Sequence, residues 1–378
     1  MNKNDDPHPS IRNMRERGDR PAAGAAEINR SDGSMALTIK DIAKRAGVGI
    51  STVSRVINNT GYVSDEVRQR VMTVVRDCGY VPNNSARNLK ASESRNIALF
   101  VKGITNPFFN KMIRIIEEKC ALRGYPLLIQ NVDDHTNELD LAIRERRDRN
   151  LCGVILMGGS FGYSEQQFHQ LGVPCVLVTI SASEEIPLEL YSSVKIDDEK
   201  EAYRATEYLI SLGHRRIGFI YDPLTDRLTP NRLRFLGYRR ALEEHGIPFD
   251  PLLVAENTDA PFHSGYITGF NAVKSLYQRS PDMTAVFAFS DVLALGAAKG
   301  AFSMGLHVPE DLSVVGFDGI EAGEFYNPSL DTIYQPANEM ALASIEFLFD
   351  MLQGGKSQHR IYDAVMMKRG SCQRRAGS

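Results

Sequence analysis

Residues 38–58 read TIKDIAKRAGVGISTVSRVIN. Ile39, Ile42, Ala43 and Ala46 recur at i, i+3, i+4 and i+7, the spacing of one apolar helix face. Thr38 stands three residues before Asp41, a T-x-x-D start close to a capping box. Gly47-Val48-Gly49 is a tight turn, after which Val53, Val56 and Ile57 form a second apolar face. Two short helices joined by a glycine-containing turn form a helix-turn-helix. Ile50, Ser51, Thr52 and Arg55 lie on the side of the second helix that packing does not use. A helical hairpin inside a larger core has the same spacing, so the neighbouring residues decide between the two readings.

Working outward, Val67, Val71, Val74 and Val75 make a third helix face, begun by Ser64-Asp65-Glu66 and stopped by Gly79. Three helices in about fifty residues end at Tyr80-Val81-Pro82. The order D-I-A-K-R-A-G-V-x-x-S-T-V-S-R-V-I-N, then G-Y-V-S, then G-Y-V-P-N-x-x-A-R-N-L, resembles the lac repressor / galactose repressor family of bacterial transcription regulators. The resemblance runs through all of the chain except its first thirty-odd residues.

The chain has 378 residues, more than one hydrophobic core usually serves. Its net charge of −3 divides unevenly: residues 37–95 carry +5, residues 1–36 carry 0 and the remainder −8. A basic head on an acidic body suits a protein that offers one end to a polyanion. Five scattered cysteines (Cys78, Cys120, Cys152, Cys175, Cys372) without a C-x-x-C read as reduced thiols of a cytoplasmic protein and argue against a metal site. No apolar run approaches the ~18 residues of a membrane span. The polar N-terminus lacks the apolar core of a signal peptide.

Residues 1–36 are polar and aperiodic and read as a disordered tail. Family members usually begin just before the first helix, so translation starting at Met35 is an expectation; intact mass of the native protein tests it. Residues 37–82 are the expected helix-turn-helix domain and 83–95 the hinge. Residues 96–378 are the expected ligand-binding and dimerisation core. Its apolar runs Ile97–Val101, Leu127–Gln130, Val154–Met157, Cys175–Val178, Ile217–Tyr221, Val286–Phe289 and Val314–Gly316 alternate with amphipathic helices. That alternation predicts doubly wound parallel sheets with helices on both faces. Two such halves resemble periplasmic sugar-binding proteins. The expected subdomains are about 96–195 plus 329–352, and 196–328 plus 353–372. Ligands of open α/β sheets bind at strand carboxyl ends.

The resemblance implies roles for individual residues. Ile50 and Ser51 fall on the positions that set operator preference, where Ile50 suits a thymine methyl and Ser51 several base edges. Thr38, Thr52, Arg55 and Tyr62 match contacts to phosphates or nearby bases. Gly49 replaces the usual serine N-cap, which removes one side-chain contact. Leu89 matches the wedge that a hinge helix drives into a minor-groove step, with Ala86 packing on the partner hinge. In the core, Asp318 and Arg234 match ligand contacts. Ser290-Asp291 match an Asn-Asp pair, with Ser290 as the departure. Asn106-Pro107-Phe108-Phe109 matches a turn where Phe108 walls the cleft and Phe109 is core. Asp197 stands near the crossover, between cleft and surface. Ala260 replaces a stacking aromatic, for which Phe262 is a candidate substitute.

No catalytic set is complete. Gly355-Lys356-Ser357 ends like a phosphate loop, but Asp350 stands where the first glycine belongs. Gly158-Gly159-Ser160-Phe161-Gly162 fits G-x-S-x-G after a strand, as a nucleophile elbow does, yet no histidine is singled out as partner. The expectation is a non-enzymatic regulator without cofactor or metal, most simply a repressor. It reads a near-palindromic DNA operator as a homodimer, and a small effector, a sugar or sugar derivative before a purine, occupies the cleft. The rival expectation is a sugar-binding protein of transport-receptor type.

Overall fold

The computed structural model describes residues 38–58, 60–78, 80, 95–133, 135–159, 161–221, 229–256 and 265–375. The expected tail, most of the hinge with Ala86 and Leu89, Ser160, Ala260 and Phe262 lie outside the described residues. The chain divides into two compact units between Lys90 and Ala91.

The first unit holds three helices, α1 (Ile39–Ala46), α2 (Ile50–Asn58) and α3 (Asp65–Asp77). Asp41 accepts hydrogen bonds from the Thr38 backbone N–H (2.9 Å) and hydroxyl (2.7 Å), which fixes the start of α1. These bonds hold the Asp41 carboxyl below its usual pKa. Gly47 ends α1 at φ +63°, a left-handed position that glycine takes without the Cβ penalty. The core is small: Ile42, Ala43, Ala46, Val53, Val56 and Val71 are buried, with Ile39, Ile57, Val67, Val74 and Val75 packed around them. Each apolar position picked by helical spacing therefore points inward.

The second unit contains two six-stranded sheets. The first has the order β11-β5-β4-β3-β1-β2, with β1 Asn96–Lys102, β2 Leu127–Val132, β3 Leu151–Met157, β4 Cys175–Val178, β5 Ser192–Ile196 and β11 His359–Tyr362. The second has the order β12-β10-β9-β8-β6-β7, with β6 Ile217–Tyr221, β7 Val254–Glu256, β8 Ala285–Ala288, β9 Ser313–Asp318, β10 Asp331–Tyr334 and β12 Val365–Met367. All neighbours run parallel except β10 and β12. Alternation along β1 sends Ile97, Leu99 and Val101 into one apolar cluster and Ala98 and Phe100 into another. A strand buried on both faces needs a continuous apolar run, as its sequence has.

The chain passes between the sheets three times, at Ile196–Asp198, Tyr334–Ala337 and Tyr362–Val365. The observed division corrects the expected subdomains at two short strands. Residues 329–352 were expected in the first half, but β10 pairs with β9 of the second sheet. Residues 353–372 were expected in the second half, but β11 pairs with β5 of the first. Four-residue strands carry too little pattern to show which sheet they join.

Candidate functional site

Packing of the first unit leaves one surface of α2 to solvent. Val53 and Val56 are buried, while Ile50, Ser51 and Arg55 are exposed and Thr52 is half-buried. Ile50 is 46 % exposed and lies outside the buried cluster. Tyr62, after the α2 terminus, is 93 % exposed. The Arg55 side chain runs along Gly61, 3.6 Å from where a Cβ would stand. The hydroxyl of Thr38 is engaged by Asp41. This surface offers a thymine-sized apolar group, hydroxyls, a phenol and a guanidinium, the groups that meet base edges and phosphates.

In the second unit, the carboxyl ends of the two sheets meet around Asp318. Asp318 ends β9 at φ +116°, a region that residues other than glycine rarely adopt, at a cost of about 1–3 kcal/mol. Three side chains hold the Asp318 carboxylate. Gln335 Nε2 donates to Asp318 Oδ1 (2.8 Å) and Asn106 Nδ2 to Asp318 Oδ2 (2.9 Å). Arg234 approaches Oδ1 at 3.5 Å. The guanidinium of Arg234 also donates to Asp198 Oδ1 (2.8 Å) and to the Phe289 carbonyl (2.6 Å), with its Cζ 3.7 Å from the Phe317 ring centroid. Asp198, Arg234, Asp318 and Gln335 are all buried. Burial raises the pKa of both Asp198 and Asp318, and the Arg234 charge opposes it in each. One cation thus serves two buried carboxylates. Among the described residues, none donates a hydrogen bond to the buried Gln335 Oε1.

Two of the six core residues expected to meet ligand, Arg234 and Asp318, meet in this cluster. The others are placed elsewhere. Asp197 is exposed and caps the helix Asp198–Ser211 by accepting from Lys200 N–H (3.0 Å). Its neighbour Asp198 is the carboxylate that faces Arg234. Ser290 is buried and caps the helix Asp291–Ser303, accepting from Leu293 N–H (3.4 Å). Asp291 lies behind the cluster, binding the Thr332 hydroxyl (2.6 Å) and the Ile320 N–H (2.7 Å). Burial and the nearby Asp318 push its pKa up to about 8. Phe108 is buried in the core, and Phe109, half-buried, packs against the same core. The turn decides this: Phe108 N–H donates to the cap residue Asn106, which starts the helix Pro107–Leu122 with Phe108 facing inward. Asn106, Asp198 and Gln335 are the members that sequence reasoning missed. Asn106 stood in the quoted turn, and Asp198 was one place from the residue chosen.

The G-x-S-x-G stretch owes its first two glycines to packing. Gly158 (φ +71°) and Gly159 (φ +110°) lie so close to the Lys102 carbonyl and to Glu138 that a Cβ at either would collide. Glu138 is buried, held by Lys102 Nζ at 3.0 Å and by the Tyr163 hydroxyl. Among the described residues no group of His, Cys, Asp or Glu is arranged to hold a metal ion, and no helix is long and apolar enough to cross a membrane.

A helix-turn-helix with an exposed second helix, in one chain with a two-sheet unit whose strand ends converge, defines a DNA-binding regulator with a ligand-binding type of core. The comparisons agree. Residues 38–83 match the model of bacterial regulatory proteins, lacI family, and residues 206–372 match that of a periplasmic binding protein-like domain. The chain is 39 % identical over 342 residues to the transcriptional regulator MalR of Clostridium butyricum, covering 89 % of this chain and 99 % of that protein. It is 38 % identical over 343 residues to the transcriptional repressor CytR of Escherichia coli, covering 89 % and 96 %. A solved complex of the regulator CelR with cellobiose superposes with a TM-score of 0.64 at 29 % identity, covering 89 % and 99 %. The chain belongs to the lacI family of bacterial regulatory proteins.

Proposed function

We propose that this regulator is a repressor that binds a near-palindromic operator as a homodimer and changes its DNA affinity when a small ligand enters the cleft at Asp318. The observation that carries the reading is the exposed face of α2, where Ile50, Ser51 and Arg55 stand clear of a core that buries Val53 and Val56 of the same helix. Residues 37–82 form the reading head, with Ile50 and Ser51 on base edges and Thr38, Thr52, Arg55 and Tyr62 on phosphates and flanking bases. Residues 83–95 form the hinge, in which Leu89 wedges a minor-groove step and Ala86 packs on its twin. A dimer presents two heads related by a two-fold axis, so its site has two inverted half-sites. Residues 96–378 take the effector. A sugar or sugar derivative fits a cleft built from carboxylates, amides and a guanidinium, and the cellobiose seen in the CelR complex supports this class. The protein works in the cytoplasm, where its DNA is.

Salt dependence tests the reading. Duplex affinity of the full chain, measured from about 50 to 200 mM salt, should fall with a log–log slope of several units, as expected when many phosphate contacts release counterions. A slope near zero contradicts a DNA-reading dimer. Leu89→Ala should weaken specific binding far more than non-specific binding; equal losses remove the wedge.

A further inference from the structure

We infer that Asn106 is a latch between the two sheets: its side-chain amide holds Asp318 across the cleft, and an effector that takes Asp318 Oδ2 competes with it. The inference rests on the proposed role of Asp318 as an effector contact.

Asn106 follows β1 in the first sheet, and Asp318 ends β9 in the second. Both ends of the Asn106 amide are committed. Oδ1 accepts from the Phe108 N–H at 3.0 Å, and Nδ2 donates to Asp318 Oδ2 at 2.9 Å. The first bond fixes which end of the amide faces the second sheet, because only the oxygen can accept from an N–H. The cap therefore aims a donor across the cleft. Asp318 is equally constrained. Its Oδ1 takes Gln335 and Arg234, so Oδ2 is the oxygen that Asn106 serves. A ligand hydroxyl or amine that seeks Oδ2 competes with Asn106 for it. Gln335 lies on the chain passage from β10 to the helix Ala337–Leu352, and Asp198 on the passage from β5 to the helix that follows it. Exchange of a partner at Asp318 is thus felt at two of the three passages between the sheets. A ligand shifts such an equilibrium by the difference in its affinity for latched and unlatched forms.

The substitution Asn106→Asp separates a latch from a cap. Aspartate caps a helix as well as asparagine does, so the Phe108 N–H keeps its acceptor. The donor facing Asp318 becomes a carboxylate facing a carboxylate. The double variant Asn106→Asp/Asp318→Asn then reverses the bond, with the new amide at 318 donating to the new carboxylate at 106. Hydrogen exchange of the full chain without ligand reads the outcome, since amide protection reports local opening. Asn106→Asp should raise exchange about tenfold in residues 313–320, on the opposite sheet, and the double variant should return it to within about twofold of the parent. Unchanged exchange in residues 313–320 of Asn106→Asp overturns the latch and leaves Asn106 a cap. So does failure of the double variant to restore protection. Operator affinity without ligand, measured on the same proteins, should change about fivefold or more in Asn106→Asp. A parent protein that binds no duplex contradicts the proposed function instead, while the exchange result still decides the latch.

Discussion

The exposed face of α2 and the cluster around Asp318 use polar groups in opposite ways. On α2, Ser51 and Arg55 stand in solvent, free to meet another molecule without first leaving a partner within the core. Around Asp318, buried charges are already bonded to one another: Arg234 to Asp198, Phe289 and Asp318, and Asp318 to Asn106 and Gln335. A surface of the first kind binds by addition. A cluster of the second kind binds by exchange, and exchange of buried partners is how a small ligand moves a large structure. The proposed reading and switching roles thus differ in how much of each site is satisfied before binding.

The largest expected effect breaks the buried side of this contrast. Arg234→Met leaves Asp198 and Asp318 without their shared cation and should cost about 3–5 kcal/mol in urea unfolding. The deficit should shrink at low pH, where the unpaired carboxylates take up protons. A loss below about 1 kcal/mol shows that the cluster is not held by charge.

The next test uses Asp291. Its folded pKa of about 8 lies far above the unfolded value near 3.9. A raised carboxylate pKa contributes stability in full below the unfolded value, and this is lost as pH rises through the folded value. Relative to Asp291→Asn, the parent should lose up to about 1.4 kcal/mol per pH unit between pH 5 and 8, then level off. Parallel stability curves for the two proteins remove the buried acid from the account.

Smaller effects sharpen the contrast. Ser51→Ala should change discrimination at one operator base by about 1 kcal/mol or more and leave unfolding of the head unchanged, since Ser51 is exposed. Loss of stability without altered base preference assigns Ser51 to structure. Smallest is Asp197→Ala, which removes one helix cap and should cost about 1 kcal/mol. A normal ligand response in that variant separates Asp197 from its neighbour Asp198.

The fold was legible where pattern is dense. The three faces of the head and the apolar strands β1, β3, β4, β6, β8 and β9 follow from spacing alone. Strand β5, SSVKI, was missed because its buried serines break the apolar run: Ser192 is tied to Gln358 and Ser193 to His359. Strands β7 and β12 are only three residues long, and β10 (DTIY) and β11 (HRIY) carry polar residues that break the apolar run which β4 and β8, equally short, keep. The cleft was half legible. Arg234 and Asp318 were found through the family resemblance, not through spacing. Asp197 and Asp198 are the same residue type side by side, and only the turn of the helix start decides which one faces inward. Phe108 turns inward for the same reason, and Phe109 packs against the same core.

The measurement that tests the account most directly is selection of duplexes from a randomised pool by the full-length protein. The account predicts enrichment of one motif with two inverted half-sites, and loss of that enrichment on Arg55→Ala. A pool that stays random, or a single asymmetric site bound by one copy, contradicts it.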